Sequence, residues 1–430
     1  MTIITEPGYS WTDGKHARIL HSGLWRKIRV ANPASSLSGP SSEAEKLVSS
    51  LTYDRWSPFT NYFASTGADK DFTQGSWNQD EGSLGPDDQT FTENSASGIH
   101  QLRHTDVTVD DNEKILAVRF SVPPFSQIPD IFVLQFSDGA DLYRATYEFG
   151  NDTFLINSNV AAGKIRKQTN GQWLMYMRFL PAATSAGVVN LRFQVGGSES
   201  YAGNGERRLR VHEVVLHGST ARINFESFYS DDDVDCVGIA GHNLGSTGAE
   251  LQWEYDNGSP ATKFSYTEIT SDEPVMGFFT PESTLRWSIA VRGGVLPEIG
   301  MVRFGKALKM EQPFYAGFAP SLGAEEPVLQ GNITEGGDWL GRNVIRRGKT
   351  AEYQWDLLTT DWVESNLYGR NGLIRAVQDD PFWVAWRPSE NDQVDFAWTV
   401  SPPSPPSKMG VKDRMEFSLS AQVLGVDYVE

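Results

Sequence analysis

Asp235-Cys-Val-Gly-Ile-Ala-Gly-His-Asn-Leu244, followed closely by Leu251-Gln-Trp-Glu-Tyr-Asp-Asn-Gly258, sets the fold class of this chain. In the first stretch Val237 and Ile239 alternate with small residues, and Gly241-His-Asn-Leu244 closes the run as a corner. In the second, Leu251, Trp253 and Tyr255 alternate with polar residues before an Asn-Gly pair. A period of two, ended by turn residues, is the mark of a half-buried strand. His242 is expected to cap the corner by hydrogen bonding. Elsewhere, short β-branched and aromatic runs are cut by Asp138-Gly139, Asn170-Gly171 and Asn257-Gly258, which are hairpin signals. One stretch, Ser42–Leu51, reads as a short helix. The expected fold is all-β, made of several β-sandwich or jelly-roll domains.

Charge and composition narrow the partners. The formal charge of −18 argues against nucleic acid, whose backbone needs a basic face. The densest basic spot, Arg207-Arg208-Leu-Arg210, alternates with apolar residues as an exposed strand face would. No apolar run reaches membrane-spanning length, so membrane insertion is not expected. The single cysteine, Cys236, excludes an intrachain disulfide framework. It lies within the apolar run Val234–Ile239 and reads as a buried thiol. The first residues, Met1-Thr-Ile-Ile-Thr-Glu-Pro-Gly8, lack the basic and apolar regions of a signal peptide. Folding in a reducing cytoplasm is therefore expected, with work outside the cell after lysis.

At 430 residues the chain has room for two to four domains. Residues 1–18 read as a polar N-terminal arm. Ala34-Ser35-Ser36, then Leu51-Thr-Tyr-Asp-Arg-Trp56, the Val237–Leu244 strand and corner, Leu251–Gly258, and Leu285-Arg-Trp-Ser-Ile-Ala-Val-Arg-Gly-Gly294 follow in an order that resembles the discoidin-like galactose-binding sandwich. That resemblance implies one sandwich built from residues 19–60 and 219–316. The long insertion after Trp56 and the absent disulfide depart from its pattern.

Residues 61–218 resemble a carbohydrate-binding-module-type jelly roll. The resemblance rests on Phe72-Thr-Gln-Gly-Ser-Trp77, the Gly85-Pro86-Asp87 loop, Ile115–Ser121, Ile131–Phe136, Asn170-Gly-Gln-Trp173, Tyr201-Ala-Gly-Asn-Gly205 and Leu209–Leu216. It implies one sandwich inserted into another. Residues 317–430 form a C-terminal β-rich docking domain. Its marks are Gly336-Gly-Asp-Trp-Leu-Gly-Arg342, Asp379-Asp-Pro-Phe-Trp-Val-Ala-Trp-Arg-Pro388, the Ser401–Pro406 polyproline loop and Met415–Leu424. This end resembles the C-terminal part of phage virion proteins carrying the same aromatic block.

No hydrolase signature, P-loop or paired-cysteine motif occurs, and the acids Asp87-Asp88, Asp110-Asp111, Asp231–Asp235 and Asp379-Asp380 read as solvated turns. No catalytic residue and no resident cofactor are expected; a Ca2+ site near Asp87 or Asp231 is the one metal reading the acids offer. Sugar rings stack on aromatic faces, and Tyr143, Tyr147 and Tyr201 are the glycan-binding candidates. Tyr143 and Tyr147 lie four apart on a strand and so share a face. Trp77 and Trp173 are assigned to the core. Phe382, Trp383, Trp386 and Arg387 are the candidate interface, because aromatics and arginine dominate interface centres. Phe382 and Trp383 point to opposite sides of a strand, so they cannot share one core face.

Together these resemblances imply a non-enzymatic structural protein of a tailed-bacteriophage virion, in the tail or a tail appendage and made in the host cytoplasm. Its expected partners are other virion proteins, copies of itself around a symmetry axis, and a host surface glycan. A secreted polysaccharide-acting enzyme with carbohydrate-binding modules is the alternative.

Overall fold

The computed structural model describes residues 2–30, 63, 77–314, 328–333 and 339–424, apart from 88, 125, 169–170, 183–184, 196, 229–232, 257–259, 294–296, 347 and 411–412. The Ala34–Ser36 and Leu51–Trp56 motifs, the expected Ser42–Leu51 helix, Phe72–Ser76, Asp88, Asn170, Asp231, Asn257 and Gly336–Asp338 lie outside the described residues. The chain is all-β, with multiple antiparallel sheets and two short helices near its C-terminal end.

Residues 77–218 form a sandwich of two six-stranded sheets. The first runs in the order Thr153–Ile156, Leu142–Glu148, Ile131–Ser137, Ser185–Gln194, Gln101–Val109, Trp77–Asp80. The second runs Val160–Lys167, Trp173–Phe179, Lys114–Ser121, Arg208–Gly218, Thr90–Glu93, Gly82–Leu84. Alternation along each strand supplies the core: Phe132, Leu134 and Phe136 from one sheet meet Leu116, Val118, Phe120, Met175 and Met177 from the other. Gly139 and Gly171 take positive φ, where a side chain would be strained. Asp138 Oδ1 accepts the backbone N–H groups of Ala140 and Asp141, which locks the turn at Gly139.

A second sandwich is built from strands on both sides of the first in the chain. Its five-stranded sheet runs Pro260–Glu268, Glu250–Asp256, Arg286–Arg292, Thr220–Ser227, Ile28–Val30. Its four-stranded sheet runs Ile3–Thr5, Val275–Glu282, Val234–Ala240, Met301–Gly305. Between them Trp253 stacks on Trp287 with centroids 5.6 Å apart, flanked by Phe225, Phe279 and Phe304. His242 accepts a hydrogen bond from the Leu244 N–H at Nδ1, so the expected corner cap is present.

The four-stranded sheet is buried on both faces. Val237, Ile239, Val275 and Phe279 enter the sandwich core. Cys236, Ala240, Met276, Phe278 and Met301 pack instead against a further sheet, on Leu20, Trp383, Ala385, Val394 and Phe396. That sheet runs Leu308–Lys309, Arg18–Leu20, Phe382–Ala385, Val394–Thr399, Arg414–Leu424, Gly348–Thr359. Helices Thr360–Asn366 and Leu373–Asp379 cover its far side through Val363, Leu373 and Val377. Thr359 caps the first helix by accepting from Trp362 N–H at Oγ1. Three sheets and a helical layer therefore form one stack, which explains why Cys236–Ala240 is buried at every position rather than alternating.

Two expectations are corrected. The residues read as a polar N-terminal arm are built in. Ile3–Thr5 pairs in parallel with Met276–Phe278, and Trp11 packs edge-on against Phe278 with centroids 4.9 Å apart. Further on, Arg18–Leu20 pairs with Trp383–Ala385 on one side and with Leu308–Lys309 on the other. The short strands supply backbone partners to sheet edges that would otherwise be open. The C-terminal sheet thus also draws on residues placed outside 317–430.

The aromatic block is the second correction. Phe382 and Trp383 do point to opposite faces, but each face is covered by this same chain. Both side chains are fully buried, Phe382 beneath the helices and Trp383 against the four-stranded sheet. Trp383 also donates from Nε1 to the Ile239 carbonyl at 3.3 Å. Trp386 is half-buried against the helix-side core. Arg387 sits over the Trp386 ring and pairs with Glu390. Phe382 and Trp383 are core residues, not docking residues.

Candidate functional site

The expected glycan residues do not form a sugar platform. Tyr143 and Tyr147 share a face, as their spacing requires, but it is the core face of the Leu142–Glu148 strand, and both are buried. Tyr143 packs on Phe136 and Phe179 and donates from its hydroxyl to the Leu180 carbonyl at 2.8 Å. Burial and the neighbouring Asp138 push its hydroxyl up to about 12. Tyr147 lies edge-on to Phe149 and donates to Asp152 at 2.6 Å. Tyr201 is half-buried and tied down: its hydroxyl donates to Glu93 at 2.6 Å and its ring packs on His100, 4.5 Å between centroids. The Glu93 carboxylate also takes Arg207 Nη1 at 3.0 Å and the Asn204 N–H at 3.1 Å. These contacts close the end of the sandwich. Trp77 is in the core as expected, and Trp173 stacks at its edge on Phe120.

No group of three or more His, Cys, Asp or Glu suited to a metal occurs among the described residues. Asp87 accepts from the Thr90 N–H and hydroxyl, so its oxygens serve a turn.

A different surface stands out: the outer face of the first six-stranded sheet. Side chains that alternate with the core residues line up in register across neighbouring strands. In one row Arg144 stands beside Gln135, Gln135 beside Asn190, Asn190 beside Arg103, and Arg103 beside Asn78. In the adjacent row Thr146, Val133, Arg192, Gln101 and Asp80 follow in the same way.

Most of the charged members pair with one another, although Arg103 Nε makes no hydrogen bond. Glu199 accepts from Arg144 at 2.6 Å and from Arg192 at 3.3 Å. Arg192 Nε donates to Gln101 Oε1 at 2.6 Å, and Gln101 Nε2 donates to Asp80 at 2.6 Å. Burial lowers the Arg192 guanidinium from its usual range, while Glu199 and Asp80 oppose the shift.

The amides between them are not satisfied. Gln135 is 5% exposed, Asn190 3% and Gln194 3%. Even so, Gln135 Oε1, Asn190 Oδ1 and Gln194 Nε2 make no hydrogen bond. A buried polar atom left so costs about 1–3 kcal/mol, so the three amides are a local cost within an otherwise well-paired face. The sequence reading missed them because it looked for aromatics. The available signal was the polar alternation Asn190-x-Arg192-x-Gln194 within an otherwise apolar stretch.

The opposite outer face of the sandwich meets the stack. On it Ile115, Ala117, Leu174 and Val215 form a small buried cluster with Tyr176. Lys164 Nζ donates to Glu268 at 2.6 Å, and Arg166 donates to Glu268 and to the Gly245 carbonyl. Gln168 Nε2 reaches the Ser246 carbonyl at 3.1 Å. The amide-lined face therefore points away from this seam.

No family model and no curated protein matches the chain. Among solved structures, an allantoicase aligns at 7% identity over 68% of this chain and 93% of its own length, with a TM-score of 0.18. A candidate secreted protein from Eubacterium rectale aligns at 9% identity over 69% of this chain and 97% of its own, with a TM-score of 0.20. Likenesses at that level carry no argument about activity.

Proposed function

We propose that this chain is a non-enzymatic structural subunit of a tailed-bacteriophage virion, in the tail or a tail appendage, that displays the sandwich of residues 77–218 for contact with a host-surface glycan. The observation that supports the display is the placement of the sandwich. One outer face is clamped to the stack through Lys164, Arg166 and Glu268, and the opposite face carries the unsatisfied amides. The virion placement is supported by the order of motifs in the sequence and by the acidic charge, which disfavours nucleic acid as a partner.

Immunogold labelling of released particles with antibody to this chain tests the placement. Label on the tail or its appendages is expected; label absent from intact particles overturns it. Incubation with host surface polysaccharide should release no reducing ends. Release abolished by one carboxylate substitution would establish a polysaccharide-acting enzyme instead.

A further inference from the structure

We propose that the edge strand Thr153–Ile156 pairs with the same strand of a second copy of this chain, antiparallel about a two-fold axis at Leu155. The pairing does not depend on a place in a virion, since the purified chain alone must show it.

The strand ends the first six-stranded sheet, and among the described residues no strand pairs with its far side. Its inner neighbour fixes which of its backbone groups are free. The Asn157 N–H donates to the Arg144 carbonyl at 3.0 Å, and Leu155 stands opposite Thr146 in the same ladder. Backbone groups alternate in direction along an antiparallel ladder. Thr153, Leu155 and Asn157 therefore turn theirs toward Leu142–Glu148, while Phe154 and Ile156 turn theirs outward. A row of outward N–H and C=O groups is a template for another strand.

Other edges of this chain are guarded, and this one is not. The adjoining edge strand, Val160–Lys167, carries Lys164, Arg166 and Lys167, with a bulge between Val160 and Ala162. Gly348–Thr359, at the edge of the C-terminal sheet, carries Glu352 and Asp356, with a bulge between Trp355 and Leu358. Charges and bulges of this kind block edge-to-edge pairing. Thr153–Ile156 has no charge, no proline and no bulge. It nevertheless presents apolar side chains to solvent: Leu155 is 51% exposed and Ile156 42%.

A second copy fits this edge. With the axis at Leu155, the outward groups of Phe154 meet those of Ile156 in the other copy, and the reverse, for about four backbone hydrogen bonds. Leu155 then faces its own counterpart at a Cα separation of about 4.5 Å, so each covers the other's exposed side chain. Thr153 comes opposite Asn157 and Asp152 opposite Ser158, so no like charges meet. The two outer sheets become one continuous sheet. A four-residue strand covers less than the roughly 800 Å² per partner of a stable complex. The contact is therefore weak between free chains and firm where an assembly already holds copies close.

Cysteine trapping of the purified full chain tests this. Cys236 is buried, so Leu155→Cys supplies the accessible thiol, and Cα atoms about 4.5 Å apart lie within disulfide reach. Under mild oxidation Leu155→Cys should dimerise at least about tenfold faster than Leu180→Cys, at a position 57% exposed, because pairing raises the local thiol concentration. Thr153→Cys, on the same face but out of register with itself, should be as slow as Leu180→Cys. Adding Ile156→Pro to Leu155→Cys removes an outward N–H, which an edge strand tolerates, and should bring the rate down to that of Leu180→Cys with little change in Tm. Equal rates for Leu155→Cys and Leu180→Cys overturn the proposal, as does a Thr153→Cys rate matching that of Leu155→Cys, or an unaltered rate in a folded proline variant. The comparison of the three single-substitution chains stands whether or not the proline variant folds. A disulfide from Leu155→Cys to a different protein in an oxidised lysate, with none to its own copy, overturns the choice of partner.

Discussion

The indole of Trp383 occupies the space that a side chain on Gly238 would need. A Cβ built on Gly238 comes within 2.9 Å of Trp383 Cδ2 and Cε2 and 3.0 Å of Leu20 Cδ2. Two sheets from distant parts of the chain approach here because one contributes no side chain and the other contributes the largest. Gly238→Ala should therefore destabilise the fold by roughly 1–3 kcal/mol through overpacking. Trp383→Ala should cost about 3–5 kcal/mol through the cavity it leaves. Urea unfolding midpoints measure both. A Gly238→Ala variant as stable as the parent would mean that the sheets slide apart without penalty.

Tyr147 separates a packing role from a binding role. Tyr147→Ala removes a ring that is 5% exposed in the sandwich core, and should cost about 3–5 kcal/mol by the scale of other large aromatics. Tyr147→Phe keeps the ring and loses the 2.6 Å bond to Asp152, a loss of about 1 kcal/mol. Thermal unfolding distinguishes the two. Unchanged stability in Tyr147→Ala would return this residue to the surface.

The pH response should contain two opposed parts. The His21 ring is buried, with neither nitrogen hydrogen-bonded, and burial holds it down to about 4. The unfolded chain takes up that proton near 6.5. Between these values the unfolded state binds more protons, so stability falls as pH drops from 6.5 to 4, by roughly 3 kcal/mol in all. Asp235 acts the other way. Burial pushes its carboxyl up to about 6, against 3.8 for a free one, despite the Ala307 N–H at 2.7 Å. The folded state then binds the proton first, and stability rises as pH drops from 6 to 3.8. His21→Leu should leave a protein relatively stronger at pH 4.5 than at pH 7, and Asp235→Asn one relatively weaker. Denaturation profiles at the two pH values that leave either variant parallel to the parent would refute the corresponding assignment.

Glu268 should govern how firmly the displayed sandwich is held. It bridges Lys164 and Arg166 and is about a third exposed, so solvent screens the pairs. Glu268→Gln should change global stability by less than about 1 kcal/mol yet broaden the particle dimensions seen by small-angle scattering, as high salt should in the parent. Scattering curves that superimpose would show that the apolar cluster beside Tyr176 holds the seam unaided.

The strands were legible because alternation and hairpin glycines are local signals. Val237 and Ile239, the Asp138-Gly139 turn and the His242 corner stand where the residue pattern puts them. The sites were less legible, and the two tyrosines show why. A spacing of four on a strand places Tyr143 and Tyr147 on one face but carries no sign of whether that face is inside. The amides at Gln135, Asn190 and Gln194 are ordinary polar residues in the chain. Only the cross-strand register between segments some 55 residues apart brings Gln135 opposite Asn190.

By itself the sequence determined the all-β class, the alternation within each strand and the opposed directions of Phe382 and Trp383, because these follow from backbone geometry over a few residues. The tertiary structure alone decided what covers each face. Trp383 reads in the chain as a candidate interface residue, and it is buried because the Val234–Ala240 strand, about 145 residues earlier, offers Gly238 to receive it. Burial depends on which sheets meet, and that depends on long-range pairing such as Arg18–Leu20 with Trp383–Ala385, which no local pattern encodes.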